Sequence, residues 1–147
     1  MNTNKKTARI LEDVKINVKI KLSALWVTVM LCYAYGDIVG FMKPGAIEDY
    51  RIGIGATGAP ITQVTLLGIV ILMAIPSVMV FLSLTLKPKA NRWANIILGI
   101  FYTCSIPLSM LIATSVSAYY IFLGIVEVVL TALIVWYAWK WPKLESA

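Results

Sequence analysis

The sequence predicts an all-α integral membrane protein, a four-transmembrane-helix up-down bundle with N and C termini cytoplasmic. Three observations lead there. Hydrophobic residues fill 60% of 147 positions, charged residues only 14%, and the mean hydropathy is +0.84, outside the balance of a soluble domain. The apolar residues gather into four runs, each of roughly 20 residues or more, enough as a helix to cross a hydrocarbon core about 30 Å thick. The basic residues lie between the runs, and unevenly. Eleven of the 13 Lys and Arg fall in the N-terminal arm, the second connection and the tail, against Lys43 and Arg51 on the other side. That asymmetry is the positive-inside pattern, and it explains the net charge of +6 without nucleic acid as a partner.

Residues 1–21 read as a basic cytoplasmic or interfacial arm, with Lys5, Lys6, Arg9, Lys15, Lys19 and Lys21 against Glu12 and Asp13. Val14 to Leu22 alternates apolar and polar residues, yet Ile10, Leu11, Val14 and Val18 would share a helical face. A short interfacial helix is expected, because a lone strand beside a membrane has no pairing partner. Each basic residue there gains about 1 kcal/mol from anionic lipid at the cytoplasmic face. The arm lacks an apolar core followed by a small-residue cleavage site, so the first span reads as a signal anchor.

The membrane domain covers residues 22–141. Its first span, about 22–42, reads LSALWVTVMLCYAYGDIVGFM and contains Asp37. It ends at Lys43-Pro44-Gly45, where proline removes a backbone donor and glycine permits the turn. The loop from 46 to 60 holds Gly53-Ile54-Gly55-Ala56-Thr57-Gly58, formally GxGxxG. No strand precedes it and no βαβ unit follows, so it is a flexible or re-entrant outer loop rather than a dinucleotide fingerprint. The second span, about 61–86, carries Pro76, which should kink it. A positive turn from Lys87 to Arg92 leads to the third span, about 93–113. In that turn Asn91 is placed to cap the third helix, Arg92 to reach a lipid phosphate or a carboxylate, and Trp93 to anchor at the interface. A short connection makes the third span a hairpin with the fourth, about 118–139, which contains Glu127. Trp26, Trp93, Trp136, Trp139 and Trp141 belong to the cytoplasmic interface and Tyr119 and Tyr120 to the outer one; residues 142–147 form a cytoplasmic tail.

Two acids inside apolar runs define the candidate site, since an intramembrane carboxylate costs a few kcal/mol and is kept for a purpose. By helix rise, Asp37 lies roughly 7 Å outward of its span's centre and Glu127 about 3 Å from its own, so the two can meet. Tyr33 shares the Asp37 face, Thr131 shares the Glu127 face, and Tyr102 and Asn95 of the third span extend the polar seam. Asp37, Glu127, Tyr33, Tyr102, Thr131 and Asn95 are therefore the expected ligand or ion pathway. No Lys, Arg or His lies within a span, so each acid is either protonated or holds a cation. The leading expectation is a small transporter or channel-like protein for protons, cations or a small solute.

The alternative is a non-catalytic membrane partner or assembly protein whose acids hydrogen-bond across helices to specify packing. An enzyme is disfavoured, because no nucleophile, metal set or phosphate motif accompanies the acids. With no histidine, His-ligated haem and His-based zinc are excluded, and no cofactor is expected. Cys32 and Cys104 read as reduced apolar side chains. Four short helices enclose little room, which favours a homo-oligomer.

Several segments together carry a family resemblance: Lys21-Leu22-Ser23-Ala24-Leu25-Trp26, Tyr33-Ala34-Tyr35-Gly36-Asp37, Lys43-Pro44-Gly45, Pro76, Leu82-Ser83, Asn91-Arg92-Trp93-Ala94-Asn95-Ile96 and Trp136-Tyr137-Ala138-Trp139. From Lys21 to Trp141 the chain resembles a group of small uncharacterised prokaryotic four-span membrane proteins of unknown function, with a looser similarity to DoxX-like proteins. The resemblance implies a four-helix bundle in a prokaryotic cytoplasmic (inner) membrane and supplies no activity or catalytic residue. Its DoxX side implies redox- or stress-associated partners.

Overall fold

The computed structural model describes residues 14–55, 58–112 and 116–142. Among them the chain forms five helices: α1 (Val18–Phe41), α2 (Ala46–Arg51), α3 (Gln63–Thr85), α4 (Pro88–Ile112) and α5 (Ala118–Trp139). α1, α3, α4 and α5 are each long and apolar enough to cross a bilayer, and the chain is a multi-pass membrane protein. The short links make the four run up and down, so α1 begins, α3 ends, α4 begins and α5 ends at one end of the bundle. That end is called basal here, and the end carrying α2 distal.

The helix boundaries follow local chemistry. Asn17 is extended (φ −61°, ψ 141°) and its side-chain oxygen accepts from the Lys19 N–H at 2.9 Å, so α1 starts at Val18. Of the interfacial helix expected to feed the first span, residues 18–22 are helical as the start of α1, residues 14–17 are not, and the earlier part lies outside the described residues. Thr62 caps α3 in the same way, accepting from the Thr65 N–H at 3.1 Å. At the other end of α3 the Lys19 ammonium donates to the carbonyls of Leu84 (3.1 Å) and Leu86 (2.8 Å), placing a cation where helix carbonyls are unpaired. α4 opens on Pro88, five positions before the apolar run begins. Proline suits the first helical position, and the Lys and Arg that follow are good helix formers. Asn91 therefore lies within the first turn rather than capping it.

α1 packs against α3 and α5, α4 packs against α5, and α3 meets α4 at few points. The α4–α5 approach is close because glycines stand where the helices cross. A Cβ on Gly99 would press on the Val135 side chain, and one on Gly124 would collide with Met110. The core, including Leu22, Trp26, Val29, Met79, Ile96, Ile134 and Ala138, fills the basal half. Trp26 is thus fully buried rather than an interface anchor. Around the basal rim, cations lie over rings: Lys21 over Tyr137 (5.3 Å), Arg92 over Trp139 (5.8 Å) and Lys140 over Trp136 (3.9 Å).

The distal loop is a short structured cap. α2 carries an exposed Arg51–Glu48 ion pair at 2.7 Å, and Ile54 bridges to Pro60. Gly53 and Gly58 both have φ near +80°, the Gly58 N–H donates to the Gly55 carbonyl at 2.8 Å, and no strand leads into Gly53.

Candidate functional site

A cavity of about 470 Å³ occupies the distal half between the helices, with α2 and the glycine turn at its rim. Asp37 and Glu127 both line it. Their relative depth follows from the α1–α5 register: Gly36 faces Leu123 and Gly40 faces Tyr119. At 1.5 Å per residue, that register sets Glu127 about 8 Å deeper than Asp37, level with Tyr33. Asp37 is exposed along the wall, whereas Glu127 retains only 8% of its surface. Among the described residues no hydrogen bond or ion pair engages either carboxyl. The lining contains one base, Lys43, where α1 gives way to the loop, and one further acid, Asp49 of α2.

The floor is aromatic, and its construction begins with a proline. Pro76 has no N–H, so the Leu72 carbonyl one turn earlier in α3 loses its helical donor. The Tyr102 hydroxyl donates to that carbonyl at 2.6 Å and reconnects α3 to α4 across their open seam. Held there and 4% exposed, the Tyr102 ring lies edge-on to Trp26 (5.8 Å, 80°) and tilted against Tyr33 (6.5 Å, 46°). Phe101 adds an edge contact at 5.2 Å. Higher on the wall, Ser109 and Tyr120 pair their hydroxyls at 3.2 Å.

Below this floor the structure separates residues that the sequence grouped into one seam. Asn95 does not line the cavity. Fully buried, its side-chain oxygen accepts from the Trp26 indole N–H (2.8 Å) and the Ser83 hydroxyl (3.4 Å). Its amide donates to the Asn91 side-chain oxygen (2.7 Å) and carbonyl (2.9 Å), and the Asn91 amide donates to the Ser83 carbonyl at 2.6 Å. This network ties α1, α3 and α4 together in the buried core. Thr131 is also fully buried: it accepts from Thr103 at 2.8 Å and donates to the Glu127 carbonyl at 2.9 Å, joining α4 to α5 beneath the acid. Of the six expected pathway residues, Asp37, Glu127, Tyr33 and Tyr102 share the cavity, and Asn95 and Thr131 support it from below.

Sequence reasoning missed Asn91, Ser83 and Trp26 as one polar cluster, and Phe101 as part of the floor. The signal available was the Asn91/Asn95 spacing of one helical turn, which puts both amides on one face. Cys32 and Cys104 are free thiols, half-buried and exposed respectively. No three acidic or cysteine side chains among the described residues converge as a metal site. A model for a family of unknown function, DUF6326, matches residues 9–147. No curated protein and no solved structure matches the chain.

Proposed function

For a chain that belongs to the DUF6326 family of unknown function, we propose a small membrane carrier that binds a proton, cation or cationic solute at the intramembrane carboxylates Asp37 and Glu127. The observation that carries this reading is Glu127: buried to 8% exposure, lining a cavity, and engaged by no described side chain. A carboxyl kept for packing would be hydrogen-bonded, as Asn95 is. The cavity ends on the Tyr102–Trp26 floor, which favours a carrier with access from one side at a time over an open pore.

The charge asymmetry supports cytoplasmic termini, so the cavity would face outward, with the basal cations against anionic lipid. The resemblance to prokaryotic four-span proteins supports a bacterial or archaeal inner membrane. The thin α3–α4 contact, flanked by an apolar groove lined by Ile71, Ile75, Val78 and Leu98, favours a homo-oligomer.

The test is reconstitution in liposomes with a trapped pH dye. Wild-type protein should move protons or cations under an imposed gradient, Glu127→Gln should slow this about tenfold or more, and Asp37→Asn less. Unchanged flux in both variants, with a lowered melting temperature, would sink the carrier reading and leave the acids as packing groups.

A further inference from the structure

Resting on that carrier reading, we infer that the bound solute is a lipophilic organic monocation, a quaternary or protonated ammonium with an apolar body, seated between Glu127 and the aromatic floor. The charge of the site selects the sign. Among the described residues Asp37, Asp49 and Glu127 line the cavity against the single base Lys43, which belongs to the mouth, beyond the end of α1. The deepest charged group is the unpartnered Glu127, and no base accompanies it there.

The remaining lining selects the body. A hard inorganic cation takes about six or more oxygen ligands, or keeps much of its water. The cavity that Glu127 lines presents instead the rings of Tyr33, Phe101 and Tyr102 and the aliphatic Ile106 and Leu123. The hydroxyls of Tyr102, Ser105 and Ser109 already donate to main-chain carbonyls of Leu72, Tyr102 and Ile106. Anionic solutes are disfavoured by the three acids of the lining. A weakly hydrated cation needs few oxygen ligands: it takes one carboxylate and the negative faces of aromatic rings. Half-buried Tyr33 supplies such a face at the level of the acid, backed by the buried Tyr102 ring 6.5 Å away and tilted by 46°. The cavity volume, about 470 Å³, is in the range of pockets that enclose a small organic molecule. Asp37, exposed and nearer the mouth, is placed to receive the cation first.

Equilibrium binding of radiolabelled tetraphenylphosphonium to the purified full-length protein tests this, with tetraphenylborate, of the same shape and opposite charge, measured in a separate assay. Binding of the phosphonium should be saturable, and the borate should show no saturable binding. Glu127→Gln should weaken it about tenfold, Glu127→Asp should retain part of it, and Tyr33→Leu should weaken it several-fold where Tyr33→Phe does not. Each variant is first checked for wild-type elution and melting; should Glu127→Gln fail there, the Tyr33 pair and the borate comparison decide. Equally tight saturable binding of the borate in its own assay, or wild-type affinity in both Glu127→Gln and Tyr33→Leu, would overturn the inference. If tetraphenylphosphonium does not bind while Glu127-dependent flux of protons or inorganic cations persists, the organic-cation assignment fails and the carrier reading stands; loss of both ends both.

Discussion

In the basal half of the bundle, Asn91, Asn95, Trp26 and Ser83 engage their polar atoms with one another; in the distal half, Glu127 is almost as deeply buried and its carboxyl is engaged by no described residue. The two regions use similar raw material, polar side chains inside apolar helices, under opposite rules. A saturated network adds cohesion, because hydrocarbon offers no competing partners, and it fixes which helices touch. An unsaturated acid adds none and is retained only where something else supplies its partner. Saturation, more than burial, therefore separates the groups that build this bundle from the acid that we propose meets a ligand.

Unfolding measurements on three variants can break or sharpen that contrast. The largest effect is expected in the basal half. Asn95→Leu keeps the branching of the side chain but strands the Trp26 N–H and the Asn91 oxygen, and should cost about 2–3 kcal/mol in a denaturing-detergent titration. A loss below about 0.5 kcal/mol would mean that the network contributes no cohesion. Tyr102→Phe, at the boundary between the halves, removes only the hydrogen bond to Leu72 and should cost about 1 kcal/mol. Smallest is Glu127→Gln, which leaves stability within about 0.5 kcal/mol of wild type or raises it. Were this variant instead to fall as far as Asn95→Leu, the acid would be a packing group and the contrast would collapse.

Much of the fold was legible because the membrane imposes it. Length and hydropathy alone mark four spans, and an acid within an apolar run identifies itself, so Asp37 and Glu127 were found directly. What was illegible depended on partners far apart in the chain. Trp26 carries the composition of an interface anchor, and only the arrival of Asn95, 69 positions later, draws it inside. Asn91 looks like a cap because it stands at the edge of the apolar run, yet Pro88 starts the helix earlier and carries Asn91 into the core. The depth difference between the two acids was likewise hidden. Span centres assign each height separately, whereas the Gly36–Leu123 and Gly40–Tyr119 contacts fix the sliding of α1 against α5.

The bond from Tyr102 to the Leu72 carbonyl carries a last consequence. Because Pro76 leaves that carbonyl without a helical donor, any movement that swings the Tyr102 ring away bares an acceptor in hydrocarbon. For the carrier proposed above, one such bond, about 1 kcal/mol, would bias a two-state equilibrium roughly fivefold. A bias that small would be reversed by an occupant that binds one arrangement about tenfold more tightly than the other. In such a carrier the proline in α3 would work as a trim weight on a balance, setting how strongly the tyrosine resists release without deciding what releases it.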